Sequence, residues 1–403
     1  MKDMIDKYNA TLITYTPLHI GSGEEITPFE YIIEAEDKLS VYPYDYLLDK
    51  IFEVLKGEAL LSCMSYLKDK AKTGQFDTLS EFLERFKLLE KIKPKYKIFL
   101  NSHELRSSVK AFIKNLQGPY IPGSEIKGAL RTVFSYGVIK NDPELKKKFF
   151  GLVSSYLKKA KQMVNKKKSE QLKEFEKGLN EIEKLVFRAS KKDEAQFDLF
   201  KALHISDSEP IPYDYFYVDK ILLLNSEKPT DFCELLDEGK KISISIKIDN
   251  NSLSGLKKCK DFSKDYEVLH LSLLNWDKLK EYSCEFYRDL VLCEKEFVEN
   301  SKLMEEEMKS LFLSHLNKIL EQIEKCRNSK VLIFPLRIGR YQGFLSTTVM
   351  LLAKREKVDL FEEVFRFCAP RVSGVVNKTR RAIAKKGKLY TLGWCFLHIK
   401  DAN

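Results

Sequence analysis

The stretch Tyr120–Val138, YIPGSEIKGALRTVFSYGV, constrains the chain more than any other. Pro122 and Gly123 end an extended segment, Ser124 is a suitable N-cap, and a helix is predicted to follow. From Ile126 onward the apolar residues Ala129, Leu130, Val133, Phe134, Gly137 and Val138 fall on one helical stripe, so that face belongs to a core. Lys127 and Arg131, four apart, share a different face. They are expected to face solvent, so that replacing both by Glu weakens ligand binding without unfolding the chain. A helix start presents unpaired N–H groups and Gly123 permits close approach. The pattern therefore fits a phosphate site as well as an ordinary Pro-Gly turn into a surface helix.

Three other stretches extend the pattern: TPLHIGSGEE from Thr16 to Glu25, DLFKALHISDS from Asp198 to Ser208, and FPLRIGRYQGFLSTT from Phe334 to Thr348. Together with IPGSEIKGALR, and in this order, they resemble the glycine-rich signatures of the CRISPR-associated RAMP superfamily. Within it, the length and the fourth motif most resemble the type III-A Csm effector-complex subunit that caps the filament near the 3′ end of the CRISPR RNA. The resemblance implies an α+β chain with a ferredoxin-like, RNA-recognition-motif-type core, helical insertions and a second α+β lobe. It also implies single-stranded CRISPR RNA as a partner, together with the other Csm subunits, especially the backbone RAMP subunit and the small subunit. Host trimming nucleases are further possible partners, and no cofactor is implied.

Charge supports a polyanion binder. The net charge of +10 is unevenly spread: sixteen Lys/Arg face seven Asp/Glu between Lys140 and Lys192, and eight basic residues with no acidic one lie between Arg366 and Lys388. The remainder is net acidic, which gives two basic surfaces on an acidic body or, more plainly, solvated lysine-rich helix faces. With 44% hydrophobic and 32% charged residues, no apolar run of membrane-spanning length and no apolar signal core, the expected location is the cytoplasm. The eight cysteines form no C-x-x-C pair, so buried free thiols are expected rather than a metal site.

Strands are expected at 10–20, 31–35, 39–42, 95–100, 201–206, 213–224, 331–334 and 388–399. KISISIKI, Lys241–Ile248, alternates polar and apolar residues most clearly. Helices are expected over most of 45–91, at 104–116, through a lysine-rich insertion at 140–192, at 284–326 as one helix or two, and at 345–353. A boundary near 225–230 divides an N-terminal domain, 1–228, from a C-terminal lobe, 229–403.

The candidate binding residues come from the motifs. Gly21, Ser22 and Gly23 are expected to form a phosphate-approaching loop, preceded by His19, which fits a packed residue better than a catalyst. Gly123, Ser124, Lys127 and Arg131 come from the signature helix. Arg337, Gly339, Arg340, Tyr341 and Gly343 lie between a strand and a helix. There, glycine admits a backbone, arginine supplies forked donors and tyrosine can stack on a base. Lys378, Arg380 and Arg381 add positive charge. No catalytic or metal constellation emerges. The resemblance places a cleaving Asp of the filament-forming subunits where this chain has Thr27 and Pro28, within EEITPFE. The expected function is thus non-catalytic RNA binding. The alternatives are a precursor-cleaving endoribonuclease with His19 as base, and an RNA-independent assembly protein.

Overall fold

The computed structural model describes all residues except 1–4, 36, 74–77, 103, 189–194, 225–230, 258–274, 303, 369–379, 386, 402 and 403. Its strands are β1 Ile5–Thr14, β2 Gly21–Ile26, β3 Tyr31–Glu34, β4 Lys38–Val41, β5 Tyr96–Leu100, β6 Val109–Phe112, β7 Lys114–Asn115 and β8 Gly118–Pro119. These are followed by β9 Leu203–Ile205, β10 Phe216–Leu223, β11 Asp231–Leu236, β12 Lys241–Asp249, β13 Ile333–Arg337, β14 Arg381–Lys385, β15 Lys388–Tyr390 and β16 Trp394–Asp401. The helices are α1 Tyr44–Val54, α2 Gly57–Thr73, α3 Leu79–Arg85, α4 Gly123–Asn141, α5 Pro143–Gln162 and α6 Lys168–Phe187. Then come α7 Asn250–Lys257, α8 Trp276–Glu299, α9 Glu306–Asn328, α10 Met350–Glu356 and α11 Val358–Cys368.

The KISISIKI strand anchors the first sheet. On β12 every second residue, Ile242, Ile244, Ile246 and Ile248, is buried, as a half-buried strand requires. It pairs antiparallel with β1, and the five strands run β13-β16-β1-β12-β9, all antiparallel. Helices α4 and α8 pack against this sheet and each other, with Trp276 between Tyr8 and Phe334 and Tyr287 edge-on to Trp394. Gly137 brings the two helices together: a Cβ there would overlap the Tyr282 ring. Tyr136 donates to Asp289 across the contact at 2.5 Å. The apolar stripe predicted for α4 is buried at Ile126, Leu130, Val133, Phe134 and Val138.

The second sheet runs β2-β6-β11-β10-β5-β4-β3, with β14 on β10 and β15 on β14. The expected hairpin is β3–β4, turned at Asp37 with φ 57°. Phe29, Tyr42, Leu47, Cys63, Phe82 and Leu83 form a separate core between α1, α2, α3 and this sheet. The two sheets join where Leu18 bridges Leu236. This α+β arrangement, a ferredoxin-like sheet-and-helix core, helical insertions and a second α+β lobe, agrees with the sequence reading.

Several boundaries differ. The helix expected at 104–116 is instead β6 and β7: Leu105, Val109 and Phe112 mimic helical spacing, but β6 gains partners in both β2 and β11. Gly21–Gly23 is the start of β2, not a free loop, because Gly21 pairs with Phe112. The 284–326 region is two helices, and 388–399 is two strands. The division at 228/229 falls between β10 and β11, which pair with each other, and β1 pairs on both flanks with strands beyond it. Each sheet thus draws on both segments. The lysine-rich stretch does form helices, α5 and α6, packed through Phe150, Val153, Leu157 and Phe175. Of the seven described cysteines, only Cys368 is exposed; burial pushes Cys233 up to about 12.

Candidate nucleic-acid interface

The four motifs, scattered over more than 300 residues of sequence, meet in one place. Helix α4 begins at Gly123, one residue before the expected cap, with Pro122 in the N-cap position. Its first N–H groups need acceptors, and the third motif supplies one: Gly123 N donates to Asp207 Oδ1 at 2.8 Å. Ser208 Oγ accepts from Ile121 N and its backbone N donates to Ile121 O. A Cβ at Gly123 would overlap the Ile205 carbonyl, so the glycine admits the chain's own backbone rather than a ligand's. This corrects the phosphate site predicted at the helix start. Ser124 is exposed beside it.

Arg131 also turns inward. Its guanidinium makes a forked pair with Asp198 at 2.9 and 2.8 Å and lies 3.6 Å from the centre of the Phe187 ring. It is a structural cation with about a quarter of its side chain exposed, not the solvent-facing one expected. Lys127 is half-buried; burial holds its ammonium below the usual lysine range, opposed by Asp198 and reinforced by Arg131.

The first and fourth motifs interlock in the same way. Arg340 N donates to His19 O at 2.8 Å, and Gly339 N donates to Glu125 Oε2 at 3.0 Å, which ties both to α4. Gly339 has φ 80°, and a Cβ there would overlap His19 O, so only glycine fits without strain. Arg337 is fully internal: it pairs with Glu294 at 2.8 Å and donates to Leu392 O. Its predicted RNA contact is therefore corrected as well. Arg380 is largely enclosed over the Phe297 ring, with Glu294 at 3.9 Å. Lys378 lies outside the described residues.

His19 has no exposed surface. Its Nδ1 sits 2.8 Å from Glu234 O, and burial lowers its pKa, with Arg340 and Lys114 acting in the same direction. Glu234 is itself held by Tyr96, Phe112 N and Lys114. This enclosure excludes His19 from the groove surface and from the open position a general base would need.

What reaches solvent is a corner around Tyr341. Ser22, Gly23, Arg340, Gly343 and Arg381 are exposed, and Gly21 and Tyr341 are half-buried. Tyr341 has φ 69°, donates from its hydroxyl to Asp231 at 2.7 Å, and lies 6.0 Å from the His19 ring at 24°. Such a backbone persists only where the surroundings fix it. The Arg340 and Arg381 guanidiniums lie 5.3 and 5.1 Å from the same ring. Burial pushes Asp231 up, but Lys110 and Tyr341 overcome this, so its carboxyl stays below the usual range. Two exposed guanidiniums, a fixed aromatic ring and two glycines suit a sugar-phosphate chain.

Sequence reasoning missed the acidic partners that make these motifs rigid: Glu125, Asp198, Asp207, Glu234 and Glu294. The visible signal was that the second and third motifs each carry an acid beside their glycine or cation. Thr27, at the position compared with a cleaving Asp, instead caps a short turn, its hydroxyl donating to Glu30 at 2.9 Å. Among the described residues no group of three His, Cys, Asp or Glu is placed to hold a metal.

A family model described as the RAMP superfamily matches residues 11–340. The chain belongs to the RAMP superfamily. It is 26% identical over 301 residues to the CRISPR system Cms protein Csm5 of Streptococcus thermophilus, covering 70% of this chain and 76% of that protein. It is also 26% identical over 286 residues to the Csm5 of Methanocaldococcus jannaschii, covering 65% of this chain and 59% of that one. The fold is shared with a chain of a cryo-EM Csm–crRNA–target RNA ternary complex of a type III-A CRISPR-Cas system. That match has a TM-score of 0.66 and 20% identity over 98% of this chain and 100% of the other. Crystalline T. onnurineus Csm5 matches with TM-score 0.61 and 20% identity over 96% and 99%. No described helix is long and apolar enough to cross a membrane.

Proposed function

We propose that this RAMP protein is a non-catalytic guide-RNA-binding subunit of a type III-A CRISPR effector complex. In this reading it caps the backbone filament near the 3′ end of the CRISPR RNA and contributes to maturation of that end. The observation that carries the reading is the Tyr341 corner: the first and fourth motifs interlock there and are tied to the second through Glu125, and Arg340 and Arg381, the latter from β14, remain exposed at 5.3 and 5.1 Å from one ring. Contacts of this kind hold a single strand through its phosphates, with little base preference. Likeness over nearly the whole chain to a chain of a Csm–crRNA–target RNA complex supports the same assignment. The protein neighbours we propose are the backbone and small subunits. Recruitment of host trimming nucleases belongs to the maturation role, and the location proposed is the cytoplasm.

The test is incubation of the purified chain, and of the reconstituted complex, with end-labelled single-stranded RNA in magnesium or EDTA, resolved on native and denaturing gels. Shifted, intact RNA that salt releases is the expected result. Shortened RNA would restore the endoribonuclease alternative. Failure to bind in both preparations would favour the RNA-independent assembly protein.

A further inference from the structure

Helix α6 of the lysine-rich insertion carries an apolar stripe that the core does not fully use. Leu172, Phe175, Leu179 and Ile182 recur at the spacing of one helical face, and Leu172 and Leu179 stay half-buried. All four line a cavity of about 510 Å³. Its other walls come from α4, α10 and α11, and from Phe344, Thr347 and Thr348 at the end of the fourth motif. A cavity of this size with a mostly apolar lining suits a small flat ligand group.

Phe344 is 44% exposed, so one aromatic ring at the rim still has area to bury. Charge argues against a phosphate here. Arg131 is the one cation among the described lining residues, and it is already forked onto Asp198, while Glu176 adds a carboxylate. Hydrogen bonding is offered in both senses. Thr347 Oγ1 donates to Phe344 O at 3.1 Å and keeps acceptor capacity, whereas Thr348 Oγ1 accepts from Met350 N at 3.3 Å and keeps its proton to donate. A ring beside one donor and one acceptor matches a flat heterocycle with a polar edge. The cavity is also continuous with the Tyr341 corner: the three residues from Tyr341 to Phe344 span at most about 11 Å, so a strand held at Arg340 passes the rim.

We propose that this cavity receives one unstacked nucleobase of the bound strand, its face on Phe344 and its edge at Thr347 and Thr348. Single-stranded RNA is recognised through bases splayed out onto aromatic side chains, and such stacking accepts any base. The inference rests on the RNA-binding reading above and gives the lysine-rich insertion a part in it through α6.

The experiment compares two end-labelled strands, a single-stranded RNA and the same ribose-phosphate chain without bases, on the full chain and on the reconstituted complex. Phe344→Ala, which removes an exposed ring and should melt with the native protein, is expected to weaken the RNA by about 5- to 100-fold and to leave the baseless strand unchanged. Arg340→Ala should weaken both alike. Cys368 gives a second readout, because it lines the cavity and is the exposed cysteine among those described. Its alkylation by iodoacetamide, read by peptide mass mapping, should slow under bound RNA and not under the baseless strand at equal occupancy. A Phe344→Ala effect that is absent or equal for the two strands, or Cys368 shielded equally by both, overturns the inference and leaves the RNA-binding reading standing. Shielding of Cys368 by the other subunits with no RNA present would give the cavity to a protein side chain and likewise overturn it. Binding of neither strand overturns both.

Discussion

Two junctions in this molecule have the same ingredients and different uses. At the Arg131 junction a glycine, a helix start and an arginine face the third motif, and each is consumed: Gly123 N by Asp207, Arg131 by Asp198. At the Tyr341 corner a glycine and an arginine face the first motif, but there the backbone makes the contacts and the Arg340 side chain remains exposed. A motif cation beside a glycine therefore says little alone. What decides its role is whether the fold brings a carboxylate to it.

The two junctions should differ most in their response to substitution at Arg131. Arg131→Glu sets two carboxylates together in a partly buried site and should destabilise the chain by about 3 kcal/mol, read by chemical denaturation. A variant that unfolds like the native protein would return Arg131 to the surface. Acid probes the buried histidines: His19 at the corner and His315, on α9 beside Thr391, are kept neutral by burial, His315 with a pKa of about 4. Here the folded pKa is depressed, so the unfolded chain binds protons that the folded chain refuses, and stability falls as pH drops from about 6.5. His315 alone should contribute a loss of up to about 3 kcal/mol by pH 4, and His315→Gln should flatten that part of the profile. A native profile already flat across this window would contradict the assignment.

Gly339→Ala tests the interlock of the first and fourth motifs. With φ at 80° and His19 O in the way, it should lower stability by about 2 kcal/mol or more. The smallest expected change in stability is at the corner's exposed cations: Arg340→Ala and Arg381→Ala should each shift unfolding by under about 0.5 kcal/mol. Their effect should appear in RNA affinity instead.

The sequence made the repetitive elements legible. The α4 stripe, the alternation in β12 and the β3–β4 hairpin all follow from local periodicity, and the buried faces lie where that periodicity puts them. Residues 104–116 were not legible in the same way, because Leu105, Val109 and Phe112 satisfy a helical spacing and only pairing with β2 and β11 selects the strand. The candidate site was legible as a set of motifs but not as a division of labour. Asp198 lies 67 residues from Arg131 and Glu294 lies 43 from Arg337, so no local rule could show that these arginines are internal. His19 was read as a packed residue, and it is one. Its Nδ1 contact with Glu234 O spans 215 residues, so only the fold could reveal it.

Arg340 and Arg381, not Arg131, are the residues we propose to carry the phosphate contacts. The most direct measurement is the salt dependence of single-stranded RNA affinity for the native chain and for Arg340→Ala/Arg381→Ala, in the complex if the free chain binds weakly. Each lost phosphate contact should reduce the slope of log affinity against log salt by about 0.7, so the double variant should fall by about 1.4 with unchanged melting. An unchanged slope would place the RNA elsewhere on the molecule.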